Sequence, residues 1–277
     1  MINRIKDWKI QIAQLFLPLL VIPIILSFDI PKFIKDLLTH ANVSISELEW
    51  YWRLAINLSK WELIFLVLVV IYYFIRKYNG KQVLKQNLNV IVWHSFVGYR
   101  ICRYILNYRK ISLTRVPIPV QFKLVLENIF KEYEFNEGIT EKEEGTDTVS
   151  AQRFQADPFT STINLALADT YPLNWKRLLP ASALNLTTLV IDRVGQKGVR
   201  YYSKDFVNTI SESVHGLPDN VVEINIFATI NAAHVFHIAR EVFQTGARDG
   251  IKRIRVYEQT KGIWVFEGKN VEIIIGV

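Results

Sequence analysis

Apolar residues are distributed in two different ways along this chain. Before residue 76 they run together, and beyond residue 159 they alternate or recur at helical spacing. Ile10–Phe28 is a run of 19 residues without a charge, long enough to cross a ~30 Å hydrocarbon core as a helix. Pro18 and Pro23 lie within it, which lipid-embedded helices tolerate. Arg4, Lys6 and Lys9 precede the run and no small-residue cleavage site follows it, so it reads as an uncleaved span. Leu63–Ile75 gives 13 further uncharged residues. Trp61, Tyr72, Tyr73 and Tyr78 flank it as interfacial aromatics, and Lys60, Glu62, Arg76 and Lys77 fall at headgroup depth. A second span is therefore expected over Leu58–Ile75. Between the two, Glu47–Trp61 carries Leu48, Trp50, Tyr51, Trp52, Leu54, Ala55 and Leu58 and predicts an amphipathic surface helix.

In residues 76–126 the apolar Ile91, Trp93, Phe96, Val97, Ile101, Tyr104 and Ile105 alternate with His94, Arg100, Arg103, Arg109 and Lys110. Beside a membrane this pattern reads as a juxtamembrane helix on anionic headgroups, in preference to an RNA surface. Val116-Pro117-Ile118-Pro119 breaks the pattern, Phe122–Tyr133 predicts a short helix, and Glu134–Ser150 is acidic and reads as a solvated linker.

Beyond that, strands are expected at Thr162–Ala168, Leu186–Ile191, Val222–Thr229, Arg253–Tyr257, Ile263–Phe266 and Val271–Ile275. The last two are joined through Glu267-Gly268-Lys269-Asn270 as a hairpin. Helices are expected at Ser203–Val214 and Asn231–Gln244. In the second, Ala232, Val235, Phe236, Ala239, Val242 and Phe243 form the apolar stripe, while His234, His237, Glu241 and Gln244 take the polar side. Strand, helix and strand over residues 220–257 make a βαβ unit. The fold class is thus α/β: two N-terminal transmembrane helices followed by a cytosolic Rossmann-like α/β domain. The expected divisions are 1–80 for the spans, 81–133 for the basic juxtamembrane segment, 134–158 for the acidic linker and 159–277 for the α/β sensor domain.

Charge sharpens this layout. Residues 1–75 carry 7 Lys/Arg against 6 Asp/Glu, residues 76–126 carry 10 against 0, and residues 127–277 carry 16 against 20. The mild acidity of the C-terminal part argues against nucleic-acid duplex binding. Asp29–Glu62 holds 4 basic and 5 acidic residues, so the positive-inside rule places both termini in the cytoplasm of an inner-membrane protein. A single cysteine, Cys102, leaves no intramolecular disulfide.

Motifs for catalysis are missing: there is no Gly-x-Gly-x-x-Gly, no phosphate-binding Gly-x-x-x-x-Gly-Lys-Ser/Thr, no Cys-x-x-Cys and no serine elbow. His234 and His237 lack a further ligand at zinc spacing. No enzyme, metal or cofactor is expected. The candidate ligand contacts are Thr229 and Asn231, where a strand ends and a helix begins, Asp192 and Arg193 at another strand end, and Arg240 a turn along. Helix N-termini beyond strand ends favour anions. If cap and ligand roles separate, Asn231→Asp leaves stability nearly unchanged and weakens anion binding.

Leu186–Asn270 resembles one half of the SAVED sensor domains, relatives of the CARF sensors. The resemblance lies in the helix Ser203–Val214, in Glu223-Ile-Asn-Ile-Phe-Ala, in Asn231-Ala-Ala-His-Val-Phe-His-Ile-Ala-Arg, in Arg253-Ile-Arg-Val-Tyr-Glu-Gln and in Gly262-Ile-Trp-Val-Phe. It implies a membrane-anchored sensor of a nucleotide second messenger, a cyclic oligonucleotide, acting on the membrane in antiviral defence. It also implies lipid partners and a homo-oligomer that completes the site. Val199–Tyr257 is similar in outline to the ExbD/TolR energy-coupling proteins, and a scaffold recruiting a protein partner is a further alternative.

Overall fold

The computed structural model describes residues 9–27, 30–40, 50, 60–85, 95–135, 140–141, 147–155, 157, 159–171, 173–194, 201–245, 250–260 and 265–275. The chain forms two compact units, residues 1–83 with 97–109, and residues 84–96 with 110–277.

In the first unit, α1 (Lys9–Phe16) runs through a 3₁₀ turn (Leu17–Leu20) into α2 (Val21–Ser27), and Pro18 sits at the change of helix type. α3 is Ile30–His40, α4 is Lys60–Asn79 and α5 is Phe96–Tyr104. Lys9–Ser27 is, among the described residues, the helix that is long and apolar enough to cross a membrane, with a mean hydropathy of 2.2. α4 runs antiparallel to it. Gln11, Gln14, Pro18 and Ile25 face inward on one side, and Ile64, Leu68, Tyr72 and Asn79 on the other. That three-and-four spacing is the seam of a helix pair.

Polar groups fix the register of the pair. Gln14 and Asn79 exchange two amide hydrogen bonds, both of 3.0 Å. Asn79 also donates to the Leu106 carbonyl (3.1 Å), and the Tyr108 hydroxyl donates to Gln14 Oε1 (3.2 Å). The Tyr72 hydroxyl donates to the Leu15 carbonyl, which Pro18, three residues on, has no N–H to serve. Arg76 Nη1 donates to the Tyr104 and Ile105 carbonyls at the end of α5, where a cation complements the helix dipole. The outward sides stay apolar: Phe16, Leu17, Leu20 and Ile24 on the first helix, and Trp61, Phe65, Val69, Tyr73 and Phe74 on α4, are exposed.

The second unit is a mixed α/β structure. Its strands are β1 (Lys110–Ser112), β2 (Glu132–Glu134), β3 (Thr140–Glu141), β4 (Thr148–Phe154), β5 (Thr162–Ala168), β6 (Thr188–Val194), β7 (Tyr201–Tyr202), β8 (Glu223–Thr229), β9 (Arg253–Gln259) and β10 (Phe266–Ile274). Its helices are α6 (Ile118–Leu126), α7 (Trp175–Leu178), α8 (Lys204–His215) and α9 (Ala232–His237), the last continuing as a π-helix over Ile238–Thr245. The main sheet has the order β10-β9-β8-β5-β6-β4. Its four inner strands are parallel, and β4 and β10 are antiparallel edges. Ile163, Leu165, Leu167, Ile224, Ile226, Ile254 and Val256 point to the face covered by α6, α8 and the π-helix. Trp175, Leu179 and Ala183 cover Ala166, Ala168 and Phe227 on the other face.

Several expectations are corrected here. Glu267–Asn270 is no turn: β10 is continuous, and the register shift between Tyr257 and Gln259 makes this stretch a bulge. The two prolines of Val116–Pro119 open α6, because proline suits the first helical turn, and Glu132 and Tyr133, expected at the end of a helix, belong to the strand Glu132–Glu134. Within the stretch read as an acidic linker, Thr148–Phe154 forms the β4 edge. Apart from Trp50 and the start of α4, the expected amphipathic helix Glu47–Trp61 lies outside the described residues.

Candidate functional site at the strand ends

β5 and β8 are neighbours, yet the chain leaves them toward opposite faces of the sheet, through residues 170–187 after β5 and through α9 after β8. Such a reversal opens a crevice beyond the carboxyl ends of parallel strands. Each of the two strands is followed there by a short polar residue. Asp169 stands one residue beyond β5, and Asn231 two beyond β8.

Asn231 is extended (φ −82°, ψ 167°) and caps α9, its Oδ1 accepting the His234 N–H at 3.0 Å. Its Nδ2 donates to Asp169 Oδ2 (3.1 Å) and to the Tyr201 carbonyl (2.8 Å). His234 Nε2 accepts the Ser203 N–H at 2.9 Å, which places the ring proton on Nδ1. From there it donates to Asp169 Oδ2 at 2.9 Å. Arg193 Nε donates to Asp169 Oδ1 at 2.5 Å, and the guanidinium carbon stacks 4.0 Å from the centre of the Tyr201 ring. The Thr229 hydroxyl donates to the Tyr171 carbonyl (2.8 Å), while its own carbonyl accepts the Thr170 N–H (2.9 Å).

The Asp169 carboxylate thus ties three segments together. Burial alone would raise its pKa; the His234 hydrogen bond and the Arg193 guanidinium outweigh burial and hold it below its ordinary value. Arg193 is only 1% exposed, and Asp169 and His234 are fully buried, so the cluster is a rigid floor. Tyr171, two residues beyond Asp169, and Lys204, which follows the Ser203 whose N–H bonds His234, are exposed.

The structure therefore brings Thr229, Asn231 and Arg193 to one place. It does not bring Asp192 or Arg240 there. Asp192 precedes Arg193 in β6 and points to the other side of the sheet, in register with Ala168 and Ser150. Arg240 lies exposed on the π-helix, its guanidinium 5.7 Å from the Phe236 ring centre. His234 is corrected too. Placed on the polar side by spacing, it is buried against Phe206 and Tyr202. Asp169 escaped sequence reasoning, although an aspartate directly after a buried strand repeats the Asn231 pattern.

Residues 1–274 match the family model described as the SMODS- and Ubiquitin system-associated 2TM effector domain, SUa-2TM. The chain belongs to this family. The helical hairpin of the first unit and the α/β unit are both within the matched span of the SUa-2TM chain. No curated protein matches it. Among solved structures it is similar to the Acinetobacter baumannii Cap4 SAVED/CARF-domain containing receptor with the cyclic trinucleotide 3'3'3'-cAAA. That match has 11% identity and a TM-score of 0.41, covering 64% of this chain and 40% of the receptor. The same receptor with 2'3'3'-cAAA gives 13% identity and a TM-score of 0.40, covering 65% and 41%. The SUa-2TM chain thus spans about two fifths of the receptor's length.

Proposed function

We propose that this SUa-2TM protein is a membrane-anchored effector of antiviral defence. It senses a cyclic oligonucleotide with its α/β unit and acts on the inner membrane through a two-span hairpin, both termini being cytoplasmic. The observation that carries the sensing half is the switch point between β5 and β8, where the buried Asp169–Arg193–His234–Asn231 cluster joins the strand ends. A rigid floor holds these strand ends without reorganisation on binding. Exposed Tyr171 offers a face for base stacking and Lys204 a cation for phosphate. The membrane half is supported by the family description and by the apolar outward sides of both long helices. α4 keeps its charged residues Lys60, Glu62, Arg76 and Lys77 at its ends, where side chains reach the headgroups.

Calorimetry on the full chain in nanodiscs, with a panel of cyclic di- and trinucleotides, tests the proposal. Saturable binding by one of them, weakened roughly ten-fold by Tyr171→Ala and by Lys204→Glu, is the expected result. Absence of binding across the panel leaves a scaffold for a protein partner as the reading.

A further inference from the structure

α3 (Ile30–His40) has no role in the hairpin seam or the crevice. Ile30, Phe33, Ile34, Leu37 and Leu38 recur at helical spacing and make one apolar side. Lys32, Lys35, Asp36, Thr39 and His40 make the other. Phe33 is 66% and Leu37 58% exposed. The Thr39 hydroxyl turns back to the Lys35 carbonyl of its own helix (2.8 Å).

Two lengths decide where this helix can lie. Eleven residues make a helix of about 16 Å, half of what the hydrocarbon core requires, so α3 is not a third span. Only residues 28 and 29 separate it from the end of α2. Two residues reach at most about 7 Å, which keeps its first turn within the headgroup layer once Lys9–Ser27 crosses the bilayer.

We infer that α3 is an interfacial helix that lies flat on a phospholipid leaflet, with Phe33 and Leu37 in the acyl boundary and Lys32 and Lys35 directed to anionic headgroups. The inference rests on Lys9–Ser27 being a span. A lipid surface is favoured over a second copy of the chain because the short link to Lys9–Ser27 holds α3 at the membrane surface, where its exposed Phe33 and Leu37 meet lipid. Two lysines against one aspartate also suit an anionic surface.

The test uses the full chain in vesicles of phosphatidylcholine with a minority of phosphatidylglycerol. Cys102 is buried and burial pushes its thiol up, so introduced cysteines take the label. An environment-sensitive fluorophore is placed singly at Leu37→Cys, Lys35→Cys and Leu20→Cys. The expected result is strong quenching of the position-37 label by headgroup nitroxide lipids, of the position-35 label by aqueous iodide, and of the position-20 label by deep acyl-chain nitroxides. Equal iodide access at positions 37 and 35, with position 20 in lipid, overturns the inference while the span stands. So does a blue-shifted label at position 37 that lipid nitroxides do not quench, because protein then covers that side. A position-20 label open to water removes the span and the inference with it.

Discussion

Exchanging Asp169 for asparagine keeps the side-chain volume and strands the Arg193 guanidinium in a buried site. Removing one partner of a buried ion pair costs about 3–5 kcal/mol, so Asp169→Asn should lower unfolding stability by that order in a denaturant titration. The pH dependence has a definite sign. The folded carboxyl lies below its ordinary value of 3.8, so its contribution is complete above that pH and is lost as the pH falls toward the folded value. The stability gap between the parent and Asp169→Asn should therefore narrow only in strong acid. Asn231 shows how far a sequence can be read at this scale. Its capping role is visible from the next few residues. Its second role is not, because Asp169 lies 62 positions away. Asn231→Asp would set a carboxylate against that of Asp169 and remove the bond to the Tyr201 carbonyl. It should therefore destabilise the fold by more than 1 kcal/mol, contrary to the cap-only expectation.

Elements were legible wherever one local signal dominated. Thr162–Ala168 is a run of apolar and β-branched residues around one asparagine, and it is the observed strand residue for residue. Ser203 announces α8 and its hydroxyl accepts the Phe206 N–H, so Ser203→Ala should cost about 1 kcal/mol in thermal unfolding. Where signals compete, the reading fails. Glycine and asparagine at 268–270 suggest a turn, but pairing with β9 stretches them into a bulged strand. Helical spacing anticipated one α-helix from Asn231. The π-helix instead widens the turn so that Ile238, Ala239, Val242 and Phe243 all reach the core. In the hairpin, the Gln14–Asn79 pair is a contact between helices that no local pattern reveals. Asn79→Leu would remove the acceptor of the Gln14 amide N–H and the donor to the Leu106 carbonyl, leaving Gln14 Oε1 to Tyr108 alone. It should loosen the pair by about 1 kcal/mol, read as a lower melting temperature in detergent.

For the molecule as a whole, reporter fusions at residues 85 and 277 should both report the cytoplasmic side, because Arg4, Lys6 and Lys9 precede the first long helix and Arg76, Lys77, Lys81 and Lys85 close the second, while the stretch between holds 4 basic against 5 acidic residues. The gross order of a helical part followed by a mixed α/β part was readable from the change in apolar pattern near residue 76. The return of residues 97–109 to the first unit was not, since their basic and aromatic residues look like a surface. That return governs how the chain can be cut. The backbone passes from one unit to the other at residues 83–84, 96–97 and 109–110, so no single cleavage separates them. A fragment starting at residue 84 carries α5 with Tyr99, Cys102 and Leu106 stripped of their cover, and self-association is its expected fate. A fragment starting at residue 110 leaves that helix behind and should sediment as a smaller species. In the intact protein the same stitching ties the α/β unit to the first unit at three points along the chain, one beyond the end of α4 and one on either side of residues 97–109.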